Sequence, residues 1–164
     1  MPAIKYLLFL GIALGFLTLP VFISAESRFT DNKDETVTDE KLGLMWAESD
    51  NLSNIDWRQA KKWVRYTFLY TLQTRYEDWR LPTLKEVSTL YLKKDAHKGV
   101  ETECGMIVKI IPQIKLTCGW VWTSETRDIS ATVFSFETGY QFPDLKIHQK
   151  AHRALAVREI RSSE

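Results

Sequence analysis

The stretch Glu77-Asp78-Trp79-Arg80-Leu81-Pro82-Thr83-Leu84-Lys85-Glu86-Val87 sets a carboxylate, an indole and a guanidinium immediately before a proline and a helix start. Pro82 pushes Leu81 out of the helical region, so the chain arrives extended. Thr83 and Glu86, three positions apart, spell a capping box in which each side chain accepts from the other's backbone N–H. A helix is therefore expected from Thr83 through about Leu92, with Val87 and Leu90 to Leu92 on its buried side and Trp79 packed beneath it. Asp78, Trp79 and Arg80 resemble a chemical site at first sight. Their neighbours make the stretch a joint, with Arg80 tying down main-chain carbonyls or an acidic residue near an upstream hairpin.

Upstream, Asp56 to Leu72 shows the clearest helical periodicity. Asp56 serves as cap, with Gln59 three residues on, and Trp57, Ala60, Trp63, Val64, Phe68 and Leu72 recur at three- and four-residue steps. The opposite face carries Arg58, Lys61, Lys62 and Arg65 with no carboxylate between them, so helical neighbours repel. That face is either a solvated surface or a polyanion-binding one, to which Lys93, Lys94 and Lys98 would add. Between Asp31 and Trp46, Thr36 to Thr38 and Leu42 to Trp46 read as a hairpin. Asp31 to Glu35 has the acidic look of a calcium loop, but Lys33 stands where an oxygen ligand would be needed and the turn glycine is missing, so a solvated turn is expected.

Downstream, roughly 26 residues from Lys93 to Gly119 show little periodicity, and a connection of that length needs an anchor. Gly119 to Ser124, Ala131 to Phe136 and Ala154 to Ile160 are strand-like. The amino terminus has a single Lys5, an apolar run broken at Pro20, and Ile23-Ser24-Ala25, the pattern of a cleaved secretory signal peptide over residues 1–25. The alternative is an uncleaved membrane anchor. The remaining 139 residues, 26–164, suit a single domain. An exported chain meets an oxidising compartment, where its two cysteines, Cys104 and Cys118, are expected to pair and to supply the anchor. No metal-ligand spacing and no cofactor motif appears.

Charge balances overall, with 22 basic and 21 acidic residues, which gives no ground for a nucleic-acid partner. Its distribution is uneven, since residues 26–56 hold 3 basic against 9 acidic side chains and residues 57–100 hold 10 against 4. His97, His148 and His152 stand in lysine-rich or polar contexts, and no Gly-x-Ser-x-Gly or His-Glu-x-x-His run is present, so an enzyme is not expected.

In order along the chain, Arg28-Phe29-Thr30-Asp31-Asn32, Thr36-Val37-Thr38-Asp39, Gly43-Leu44-Met45-Trp46, Trp57 with Ala60, Asp78-Trp79-Arg80-Leu81-Pro82-Thr83 with Glu86, Trp122-Thr123-Ser124 and Val157-Arg158 resemble the family of the Legionella collagen-like protein's C-terminal domain. The resemblance covers about Arg28 to Ile160. It implies an exported bacterial α+β domain in which two helices pack on a twisted antiparallel sheet, similar to the C-type-lectin-like and formylglycine-generating-enzyme fold. It also implies a binding module for sulfated glycans through a basic surface. Two departures stand out: the family's glycine-rich turn is here Lys33-Asp34-Glu35, and there is no collagen-like stalk to supply avidity.

The expected role is thus a secreted or periplasmic, non-enzymatic binder of a polyanionic carbohydrate or an envelope partner, using Arg58, Lys61, Lys62, Arg65, Lys93 and Lys94. The alternatives are a structural accessory of the envelope and an enzyme on a formylglycine-generating-like fold. Trp46, Trp57, Trp63, Trp79 and Trp122 are expected in the core. Trp120, one pleat from Trp122, is the candidate ligand-facing ring.

Overall fold

The computed structural model describes residues 27–72, 76–93 and 98–160. The anticipated signal segment, Lys94 and His97 lie outside them. Thr36–Asp39 (β2) and Leu44–Ala47 (β3) form the expected hairpin, and Phe29–Asp31 (β1) adds antiparallel to β2. Lys33 and Glu35, in a turn without glycine, take φ values of 62° and 67°. Each non-glycine residue in that region costs about 1–2 kcal/mol. Asp31 holds the turn by accepting from the backbone N–H of Lys33 at 2.8 Å and from its ammonium at 2.6 Å.

The long helix anticipated over residues 56–72 is instead three short pieces. Asp56 caps an α-helix, Trp57–Lys62 (α1), by accepting from the Gln59 N–H at 2.8 Å. Trp63–Thr67 then forms a π turn, in which the Phe68 N–H donates to the Trp63 carbonyl, and Phe68–Tyr70 a single 3-10 turn. A turn closed by i→i+5 bonds rotates each residue less than an α turn does. Residues four apart therefore stack almost directly, which keeps Ala60, Val64 and Phe68 on the buried side at 0%, 1% and 4% exposure. Trp57 and Trp63, expected in the core, are only half-buried at its edge.

The second helix is also shorter than expected. Leu84–Ser88 (α2) begins at the predicted capping box, with both reciprocal bonds present. Beyond Thr89 the chain leaves helical geometry to pair elsewhere: the Ile111 N–H donates to the Leu90 carbonyl at 3.1 Å and the Leu92 N–H to the Lys109 carbonyl at 3.0 Å. Tertiary pairing takes over backbone groups that would otherwise have extended the helix.

The irregular connection is anchored as expected. Val100–Glu101 (β4) and Ile107–Val108 (β5) form a small hairpin, and Cys104 and Cys118 are joined by a disulfide with Cα atoms 5.4 Å apart. Then Trp120–Arg127 (β6), Ser130–Ser135 (β7) and Gln141–Leu145 (β8) run antiparallel, with His152–Arg153 (β9) parallel to β6 on the far edge. Val157–Glu159 (β10) returns to the first sheet beside β3. The result is a mixed α+β architecture, mostly strand, with two four-stranded sheets ordered β1-β2-β3-β10 and β8-β7-β6-β9.

One apolar cluster runs through both sheets. It includes Trp46 and Trp122 at 0% exposure, Trp79 at 3%, and Val87 and Leu90 from the α2 region. Residues 152 to 158 are all buried, so the alternation of the last strand separates two covered faces instead of an inner from an outer one.

A groove between the first helix and the motif joint

The stretch 77–87 is a joint, as its sequence suggests, and its partner is local. Both terminal nitrogens of Arg80 donate to the Glu86 carboxylate at 2.8 Å, a two-pronged ion pair, and one nitrogen lies 3.5 Å from Glu159 on β10. Glu86 is thus shared between Arg80 and the capping box, since it also accepts from the Thr83 N–H at 2.8 Å. Burial alone would raise the Glu86 pKa, but the bonds from Arg80 and Thr83 outweigh it and leave the group below its ordinary 4.5. The same bond raises the Arg80 pKa further.

Long-range bonds lock the joint to the rest of the fold. The Arg80 backbone exchanges N–H···O bonds of 2.9 and 3.0 Å with Val157, Ser124 N–H donates to the Pro82 carbonyl at 2.8 Å, and the Glu125 carboxylate accepts from the Leu84 N–H at 2.8 Å. Asp78 takes a left-handed φ of 67°, which aspartate tolerates better than most residues, and this swings Trp79 inward. Trp79, expected beneath the helix that starts at Thr83, meets Phe68 edge-on at 4.8 Å and so joins the motif to the end of the first helical segment. Its indole N–H is buried and has no acceptor among the described residues.

Between this joint and the α1–π segment lies an open groove of about 870 Å³, within the size range of small-molecule sites. Lys61, Val64 and Arg65 form one side, Asp78 and Arg80 the other, and Ser124 and Thr126 of β6 line it as well. Tyr66, Tyr70 and Tyr76 add phenol rings. Trp57 is pinned at one end: its indole N–H donates to the Thr123 carbonyl at 2.8 Å, and the ammonium groups of Lys61 and Lys146 lie 5.4 and 5.1 Å from its ring centre.

The four cations anticipated as one face are divided. All are exposed and none pairs with a carboxylate among the described residues. Lys61 and Arg65 line the groove, whereas Arg58 and Lys62 do not. The π turn explains the division, because its smaller rotation per residue sets Arg65 above Lys61 instead of carrying it toward Arg58 and Lys62. Lys93 and Lys98 are exposed and do not line the groove. Nor does Trp120, which is half-buried and packs edge-on against Phe142 at 5.2 Å and His152 at 5.4 Å. The three tyrosines and the two β6 hydroxyls were absent from the sequence-based candidates. Tyr66 and Tyr70, four apart and off the core stripe, carried the one signal that could have found them.

The histidines lie elsewhere. His152 is buried, stacked on Trp122 at 4.2 Å, with Nε2 3.1 Å from Asp144, whose other oxygen is 2.6 Å from His148 Nδ1. Burial lowers the His152 pKa below 6.5 despite that carboxylate. No set of three such side chains stands in a metal-holding arrangement among the described residues.

A family model for the Lcl C-terminal domain matches residues 35–158, from the turn before β2 to β10. The chain belongs to the Lcl C-terminal domain family. No curated protein matches it. The matched span of this Lcl C-terminal domain contains the hairpin, the joint and every groove residue named above, so the groove is built entirely from the family's own portion of the chain.

Proposed function

We propose that this Lcl C-terminal domain is an exported, non-enzymatic binding module, of C-type-lectin-like architecture, that seats a carbohydrate chain in the groove between α1 and the Arg80 joint. The observation that carries the reading is the meeting of two carboxylate-free cations, Lys61 and Arg65, with tyrosine rings and β6 hydroxyls in one opening. Aromatic faces with a few converging polar groups are the usual makeup of a ligand site. Rings pack against sugar faces, and ammonium and guanidinium groups donate to hydroxyls or acidic substituents. The Cys104–Cys118 bond supports export, since such links persist where the surroundings are oxidising.

The test is a glycan array and a heparin column, run on the protein and on its Lys61→Ala/Arg65→Ala variant. Binding by the parent that the variant loses is the expected result. Failure of the parent to retain any glycan would overturn the reading in favour of a structural role in the cell envelope.

A further inference from the structure

The two most exposed large aliphatic side chains among the described residues, Ile129 at 72% and Ile147 at 73%, stand at the same end of the second sheet. Ile129 lies in the turn between β6 and β7, and Ile147 follows β8. The β7–β8 pairing, whose last partners are Ser130 and Leu145, is carried one step further by a bond of 2.9 Å from the Lys146 N–H to the Ile129 carbonyl. The Lys146 ammonium donates to the Asp128 carbonyl at 2.7 Å, and the Trp57 N–H donates to the Lys146 carbonyl at 3.1 Å. A hydrogen-bonded frame thus holds both isoleucines out in water, where each forgoes the stabilisation that burial would bring. Single exposed apolar residues are ordinary, but two held on adjoining turns form a patch.

Charge at this tip is mainly positive. The three segments that meet there, residues 56–62, 126–130 and 144–150, hold six cations, Arg58, Lys61, Lys62, Arg127, Lys146 and Lys150, against three carboxylates, Asp56, Asp128 and Asp144. None of the six forms an ion pair among the described residues. Two of the carboxylates are half-buried and turned to partners: Asp56 caps α1, and Asp144 faces His148 and His152 at 2.6 and 3.1 Å. Lys61 and Lys146 converge on the Trp57 ring, which joins the helix cations to the turn.

We infer that this tip docks on an anionic lipid surface, with Ile129 and Ile147 inserted among the headgroups and the surrounding cations against lipid phosphates. A peripheral anchor needs both an apolar insertion and a basic attraction, and the tip carries both. Isoleucine offers a sugar no flat ring and no hydrogen bond, and projecting turns are best covered by a medium that closes around them. Neither isoleucine lines the groove, so the inference goes beyond the glycan reading without depending on it.

The experiment is co-sedimentation of the protein with vesicles of phosphatidylcholine alone and of phosphatidylcholine with about one-third phosphatidylglycerol. Binding to the anionic vesicles alone is expected, weakened about tenfold by Ile129→Ser/Ile147→Ser and about fivefold by Arg127→Ala/Lys150→Ala. All four side chains are exposed, so both variants should melt with the parent, and the isoleucine variant should keep the parent's retention on a heparin column. Vesicle binding equal in the parent and the isoleucine variant would overturn the inference, as would a loss confined to Lys61→Ala/Arg65→Ala, which would place the contact on the helix. A dimer in solution that the isoleucine variant abolishes, with no vesicle binding, would overturn it in favour of a second copy of the chain. Absence of both would overturn it too, while leaving glycan retention to decide the groove reading separately.

Discussion

Around α2, the charges beside the groove are committed to the fold: Arg80 grips Glu86 with two bonds, Glu86 caps the helix, and Glu125 reaches over from β6 to cap it again. Along α1 and the π turn, Arg58, Lys61, Lys62 and Arg65 stand exposed and meet no carboxylate among the described residues. Both segments lend charged side chains to the same opening, Arg80 from one and Lys61 and Arg65 from the other. What separates them is satisfaction of hydrogen bonds. A guanidinium with its donors occupied holds a structure together, while one facing solvent or a ring keeps donors for something else. The motif that looks most like chemistry is therefore mainly structural, and the plainer helix supplies the cations that the proposed binding would use.

The contrast can be broken by substitution. Trp79→Ala removes the ring that couples the joint to Phe68 and should give the largest effect, about 3–5 kcal/mol of stability by urea denaturation, as for other buried aromatics. A loss below about 1 kcal/mol would show that the joint does not depend on this contact. Arg80→Ala should cost about 1–3 kcal/mol, because it strands a half-buried carboxylate that has lost its charged partner. Its effect on stability should exceed its effect on glycan affinity. A variant as stable as the parent that no longer binds would make Arg80 part of the site.

The pairing also has a pH signature. Glu86 has a folded pKa below its ordinary 4.5, so the folded state favours the ionised form. Its contribution is fully present above about pH 4.5 and fades as the pH falls through the folded value. The stability difference between the parent and Glu86→Gln should accordingly be flat from pH 7 to about 5 and shrink below that. A difference that grows on acidification would contradict the bidentate pair. The smallest effect belongs to the helix: Arg58→Ala/Lys62→Ala should move stability by no more than about 0.5 kcal/mol, as expected for exposed side chains without partners.

Several elements were legible because their causes are local. The capping box at Thr83 and Glu86, the Asp56 cap and the hairpin from Thr36 to Ala47 depend on residues a few positions apart. The Cys104–Cys118 bond followed from their even count and the oxidising compartment implied by the amino terminus. Arg80 is the expected tie to a main-chain carbonyl, that of Leu81 at 3.4 Å, and to an acidic residue beside the hairpin, Glu159 at 3.5 Å, but its two-pronged partner is Glu86, inside the same motif. The helix over residues 56–72 was misjudged in kind. Periodicity at three and four residues fits an α-helix and an α-helix relieved by a π turn nearly equally well, so neither the break at Trp63 nor the division of the four cations could be read from spacing.

By itself, the sequence determined where helices start, which strands form the first hairpin, which cysteines pair and which family the chain joins, because these rest on short-range bonding and ordered motifs. Only the tertiary structure decided where the helices end and what the charges do. Pairing of Leu90 and Leu92 with residues 109 and 111 stops α2, and the groove forms because Lys61, Arg80 and Ser124, far apart along the chain, are brought to one opening by Trp57 on Thr123 and Pro82 on Ser124. Such contacts join segments separated by about 17 to 66 residues, and a side-chain pattern carries no record of what lies across that distance until the backbone between is folded.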